Sequence, residues 1–291
     1  MKAAILSYHR VASPTVDLHG LAVPPERFRA QMAHLASVCT PMPLAELTAA
    51  AASGQLPPRA VAVTLDDGTV DHLEAARILD GVGVPATFFV VAERLQEAHE
   101  HWWDQLESLF YATTPPPTLT IDGVTLPTQT SAERRRAYRA AHRSLLRLDA
   151  GARRERLAAL GQVGPPRSTH RALLGDEVQS LLRSGHEVGA HGVHHLFLDG
   201  LGAAEQHAEL AGSVEILSAL LGRRVTSLAY PFGAVDEHAV QAAAAAGVAR
   251  AVTVADGLVD AASDPLRLPR LDLGAFGLER FAATLRARLG C

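Results

Sequence analysis

The stretch VAVTLDDG, residues 61–68, runs a short apolar segment straight into two carboxylates, Asp66 and Asp67, and then Gly68. An apolar run of this length closed by a glycine reads as a buried strand, and residues 70–79 that follow carry helical spacing. The same alternation extends outward in both directions. Strand-like runs at residues 3–7, 86–91, 187–190, 226–230, 251–254 and 266–271 are separated by helical stretches at residues 25–37, 44–52, 176–184, 203–221, 237–246 and 278–289. Prolines stand at the start of the first helix, and Gly185 and Gly222 stand where helices end. Repeated strand–helix units build a parallel sheet or barrel, so the fold class is α/β.

Between about residues 95 and 170 the rhythm breaks. Trp102 and Trp103 form an aromatic patch, residues 115–117 are prolines, Asp122-Gly123 marks a turn, and a long polar helix follows. This reads as an insertion within one barrel domain covering residues 1–291. In it Arg134, Arg135, Arg136, Arg139, Arg143, Arg147, Arg153, Arg154 and Arg156 face only Glu133, Asp149 and Glu155. The excess is either a solvated face over a small core or a surface that attracts an anionic substrate.

Composition narrows the classes. A chain of 291 residues with 48% hydrophobic and 20% charged residues can bury a sizeable core. A formal charge of -4 argues against a whole-chain electrostatic footprint for nucleic acid or an anionic membrane. Cys39 and Cys291 are far apart and form neither a disulfide framework nor a thiolate metal site. The apolar run at residues 3–6 is too short for a signal-peptide core, and no stretch of about 18 apolar residues occurs, so the expectation is a cytoplasmic protein without a transmembrane segment. Against 5% aromatics, 14 histidines stand out.

Successive strand residues point to opposite faces, so Asp66 and Asp67 can enter one site only if the chain turns there, as Gly68 permits. Catalytic groups of barrels sit at the C-terminal ends of strands, although an Asp-Gly pair is also an ordinary turn and cap. The second constellation is GAHGVHH, residues 189–195, again directly after a strand. His191 and His195 have the i, i+4 spacing that brings two imidazoles to one face if the segment coils helically. His186 precedes the strand, and His194 points elsewhere if the 191/195 pair converges. Two imidazoles and one carboxylate hold a divalent ion while leaving positions open for water and a substrate carbonyl, and the second carboxylate can then take a proton from that water. That is a hydrolytic arrangement.

TLDDG resembles the TFDDG signature of NodB-type polysaccharide deacetylases, carbohydrate esterase family 4, and GAHGVHH is similar to their GAHTxxH motif. SYHRV at residues 7–11, PATFFV at 85–90, GHEVGAH at 185–191, YPFG at 230–233 and LPRLD at 268–272 follow the family order. The resemblance implies a distorted (β/α)7-type barrel with a helical insertion, a divalent metal with Zn2+ as the usual ion, and removal of N-acetyl groups from an amino-sugar substrate. Carried over by position it implies Asp66 as base and Asp67, His191 and His195 as metal ligands.

Departures from the family pattern set further expectations. Gly192 stands where Ser or Thr commonly shapes the loop. Ala229-Tyr230-Pro231 replaces Arg-x-Pro, so the arginine that braces the base must come from elsewhere, and Arg270 is the candidate. The late Leu-x-His motif that supplies the general acid in the family is absent, and the likeness of Tyr8-His9 to family branches with an N-terminal Tyr-His implies His9 in that role. Tyr230 is expected near the developing oxyanion, and Tyr230, Arg270 and Trp103 form the substrate-binding or oxyanion group. Two rivals remain open: a non-sugar amide hydrolase on the same barrel, as in allantoinase-like relatives, and a sugar-binding protein that has lost catalysis.

Overall fold

In the computed structural model, which describes residues 1–111 and 115–290, each apolar run forms a strand and helices return the chain to the same end of the sheet, except between β9 and β10, which a loop over residues 257–267 connects. Cys291 lies outside the described residues. The chain divides into two compact units, Met1–Glu93 with Leu173–Cys291, and Arg94–Ala172.

The first unit carries strands β1 (Ala4–Tyr8), β2 (Thr40–Pro41), β3 (Ala60–Leu65), β4 (Ala86–Val90), β7 (Glu187–Ala190), β8 (Ser227–Ala229), β9 (Arg250–Asp256) and β10 (Leu268–Asp272). Helices α1 (Pro25–Val38), α2 (Leu44–Ala52), α3 (His72–Val82), α7 (Gly175–Arg183), α8 (Ala203–Leu221), α9 (Glu237–Ala245) and α10 (Leu278–Leu289) surround them. The strand order is β1-β10-β9-β8-β7-β4-β3-β2, all parallel. β1 also pairs with β3, from Ala4 opposite Val61 to Tyr8 opposite Leu65, which closes seven strands into a barrel and leaves β2 outside the ring on β3. This is the (β/α)7-type barrel that the sequence implies. Both faces of a barrel strand are covered, so β1, β3 and β4 are buried at every position rather than at alternate ones. Ile5, Ala62, Phe89, Ala229, Val252 and Leu268 belong to one apolar cluster.

The second unit contains α4 (Trp102–Tyr111), a hairpin of β5 (Thr118–Ile121) and β6 (Val124–Pro127), α5 (Ser131–Leu146) and α6 (Ala150–Leu160). The insertion is therefore not purely helical: Asp122 and Gly123, at φ 50 and 78, make the two-residue turn of an antiparallel pair. The expected single polar helix is two, because Asp149 caps a new one through the N–H of Ala152. Part of the arginine excess serves the unit itself. Arg153 is buried with its guanidinium 4.7 Å from the Trp102 ring, and Arg156 pairs with Asp122. Arg135, Arg136, Arg139 and Arg143 face solvent. Among the described residues no helix is long and apolar enough to cross a membrane.

Candidate metal and hydrolytic centre

β3 ends at Leu65, and the chain turns at once: Asp67 itself takes φ 83 and Gly68 φ 73. Two left-handed residues in succession are what carry Asp66 and Asp67 to the same place, where an extended chain would send them apart. Gly68 has a second reason to be glycine, since a Cβ there would lie 3.0 Å from Val90 Cγ1 and 3.2 Å from Val90 Cα.

The histidine segment after β7 is not helical. Gly192 at φ 76 and His195 at φ 52 fold it into a tight loop, and this backbone, not helical spacing, brings the rings together. His191 Nε2 and His195 Nε2 are 3.2 Å apart, and Asp67 Oδ1 lies 3.4 Å from the first and 3.5 Å from the second. Residues after β4 tie the two loops, with Ala92 donating its N–H to the Gly192 carbonyl at 3.0 Å.

This geometry suits a divalent ion. His191 Nδ1 donates to the Ala229 carbonyl at 2.8 Å, which leaves Nε2, aimed at the other two ligand atoms, to bind either an ion or a proton shared with Asp67. Two imidazole nitrogens and one carboxylate oxygen converging in this way is the donor set of an open, borderline-soft cation site. Among the described residues a second group, Asp104, Glu107 and His170 in the second unit, also has ligand spacing. There Arg167 already pairs with Glu107 at 2.8 Å, so that group holds a cation of its own.

Asp66 is fully enclosed and differently placed. Arg270 donates to Oδ1 at 2.8 Å and to Oδ2 at 2.6 Å, and spends its remaining reach on Thr64 Oγ1 (3.0 Å) and the Thr253 carbonyl (2.8 Å). Burial pushes the Asp66 carboxyl up, but the Arg270 charge and hydrogen bonds outweigh it and bring it down to about 2. Burial likewise opposes ionisation of Asp67, yet the hydrogen bond to His191 and the His195 charge hold it well below the usual carboxylate range. For His191, burial disfavours the imidazolium, while Asp67 and Asp66 more than compensate and raise it. His9 Nε2 stands 4.0 Å from Asp66 Oδ2, with a fifth of its side chain exposed. The side chains of Asp67 and His195 are 10% and 7% exposed, so the centre is largely buried.

The structure thus brings Asp66, Asp67, His191, His195, His9 and Arg270 into one cluster, but turns Arg270 onto the base rather than outward. Tyr230 does not offer the expected oxyanion donor: it is fully buried, its hydroxyl donates to the Leu266 carbonyl at 3.0 Å and its N–H to the Val252 carbonyl at 3.2 Å. Phe232, two residues on, lies against the site, with φ 58 and its ring 4.4 Å from that of His195. Trp103 lies in the second unit, stacked on His101 at 4.6 Å. His186 binds Asp80 at 3.2 Å and His194 binds Glu209 at 3.1 Å, so neither faces the centre.

Asp71 and His72 are site residues the sequence reading missed. Asp71 stands where a helix cap belongs but caps nothing; its carboxylate accepts from Val11 N–H at 2.6 Å and pairs with Arg10 at 3.3 Å. His72 Nε2 donates to the His9 carbonyl at 2.7 Å, and burial lowers the ring's basicity, keeping it neutral. Together they fasten the segment that carries His9. An acid and a histidine opening the helix after DDG were the available signal.

Comparison with known proteins identifies a family and a fold. The profile of the family described as Polysaccharide deacetylase matches residues 53–251. YxkH of Bacillus subtilis (strain 168), named as a polysaccharide deacetylase, is 27% identical over 82 residues, and the chain spans 29% of the length of that curated relative. The Streptococcus pyogenes deacetylase PplD, solved in complex with acetate, superposes with a TM-score of 0.64 at 19% identity, covering 99% of this chain and 98% of that one. IcaB from Ammonifex degensii matches at 0.64 and 17% identity over 98% and 97% of the two chains. The likeness to these two structures is one of fold.

Proposed function

This chain belongs to the polysaccharide deacetylase family, and on that premise we propose that it is a metal-dependent hydrolase that removes an N-acetyl group from an amino sugar or glycoconjugate. The observation that carries the reading is the convergence of Asp67, His191 and His195 within coordination reach of one another, directly beside an Asp66 that Arg270 keeps ionised. PplD, similar in fold, was solved with acetate, the product such a reaction releases.

Asp67, His191 and His195 would hold the divalent cation, with Zn2+ the family's usual ion. When bound, the ion supplies Lewis acidity that acidifies a water molecule and polarises the amide carbonyl. Asp66 accepts the proton of the attacking water, and its bidentate clamp fixes the carboxylate so that one orientation serves throughout. Arg270 positions this base. His9, held by His72 through its carbonyl, delivers a proton to the departing amine nitrogen as the C–N bond breaks. Phe232 packs its ring against that of His195 at the edge of the site.

The test is acetate release from N-acetylglucosamine presented free, as oligomers and nucleotide-linked, beside a panel of cyclic amides, with metal content measured on the same preparation. Acetate from at least one sugar, abolished by a chelator and restored by Zn2+, is expected. Hydrolysis of a cyclic amide alone moves the assignment to a non-sugar substrate; tight sugar binding with no acetate from any substrate leaves a binding protein.

A further inference from the structure

The histidine loop lacks the hydroxyl side chain that ordinarily braces it, and Gly192 has an unusual neighbour. A Cβ built on Gly192 would lie 2.7 Å from Glu209 Oε1 and 3.2 Å from Pro231 Cγ. A carboxylate from α8 therefore fills the space a residue 192 side chain would occupy. Glu209 is 3% exposed. Its Oε1 accepts the backbone N–H of His194 at 2.7 Å and of Leu196 at 3.2 Å, its Oε2 meets His194 Nδ1 at 3.1 Å, and its own carbonyl accepts the N–H of Val193 at 3.2 Å. One residue thus takes three N–H groups of the loop and one ring nitrogen.

A buried carboxylate is costly to desolvate and persists only where charge-assisted hydrogen bonds replace water. Here those bonds fall on the residues between the two ligands, on both sides of His195. His195 needs the help, because φ 52 is a conformation that a residue with a Cβ visits rarely and keeps only when its surroundings over-determine it. We infer that Glu209 is a positioning residue for the metal centre: its carboxylate shapes the 192–196 loop so that His195 Nε2 faces His191 Nε2 and Asp67. It touches neither the ion nor the substrate. The inference rests on the metal-site reading given above, and it names a function for a helix residue distant in sequence from every ligand.

The experiment is a Zn2+ titration of the intact protein against a chromophoric chelator, for wild type, Glu209→Gln and Glu209→Ala, with thermal unfolding of the metal-free forms measured in parallel. A group that orients a ligand typically changes metal affinity by about 10- to 100-fold. Glu209→Ala is expected to weaken Zn2+ binding by about that factor, and Glu209→Gln, which keeps one carbonyl to accept the two N–H groups, to fall between it and wild type. If Glu209→Ala does not fold, Glu209→Gln alone decides, with a fall of several-fold expected. Variants that lose thermal stability but bind Zn2+ as tightly as wild type overturn the inference and leave Glu209 a packing residue. Wild type that binds no Zn2+ overturns the metal-site reading instead, so the two failures are distinct.

Discussion

The two ends of the barrel both bury charge, and they do it in opposite ways. Where the strands begin, Glu187 accepts from Thr87 at 2.9 Å and from Ser227, and Arg250 completes the group at 3.4 Å from Glu187 and 2.9 Å from Ser227. His186 beside it is satisfied by Asp80 and by the Ala86 N–H. There the Glu187 carboxylate faces the Arg250 cation across Ser227. Where the strands end, Asp66 and Arg270 make one such closed pair, but next to it two imidazole nitrogens and a carboxylate oxygen point at a common centre. Buried charge by itself marks structure. Converging electron pairs mark a site, because they gain most from a cation that the chain does not supply.

That contrast can be broken by substitution. Asp66→Asn removes the proton acceptor while leaving Asp67 and both histidines in place, so acetate release should fall by about 10²- to 10⁴-fold. Metal content, measured by mass spectrometry, should stay at the wild-type level; loss of the ion would mean that Asp66 is a ligand instead. Arg270→Met leaves the enclosed Asp66 carboxylate without its cation and should lower unfolding free energy by about 3–5 kcal/mol in chemical denaturation. The matching change at the other end, Arg250→Met, should cost less, because Arg250 and Glu187 keep 16% and 20% of their side-chain surfaces exposed. Equal losses would remove the distinction between the two ends.

Smaller effects sharpen it. Gly68→Ala forces a Cβ against the Val90 backbone at 3.2 Å in a left-handed conformation, and should cost about 1–2 kcal/mol together with part of the metal affinity. Glu187→Gln should change stability by about 0.5–1.5 kcal/mol and leave acetate release per folded molecule unchanged, read from denaturation and active-site titration. A fall in turnover there would show that the distant end of the barrel communicates with the chemistry.

The strands and the two chemical motifs were legible because an apolar run that stops in polar residues is a local pattern. The reason for convergence was not. Spacing at positions 191 and 195 invites a helical explanation, whereas the rings meet through left-handed backbone at Gly192 and His195, which no residue pattern announces. Arg270 could be named by elimination, but its bidentate grip depends on β10 lying near β3 across the barrel seam, a tertiary fact. Tyr230 attracted the oxyanion reading through its hydroxyl, and packing took that hydroxyl for Leu266. Glu209 sits on a helix whose sequence carries several acids, so nothing local separates it from Glu205 or Glu215. The hairpin inside the insertion was marked only by Asp122-Gly123, too short a cue to outweigh the polar stretches around it.

The first strand lies between the third and the last, joined to both. His9 follows the first, Asp66 the third, and Arg270 rides on the last, so the proton-handling groups meet only along this seam. Until β10 joins this seam the Asp66 carboxylate lacks its clamp, however well the other strands have formed. Closing the ring and completing the site are therefore one and the same pairing.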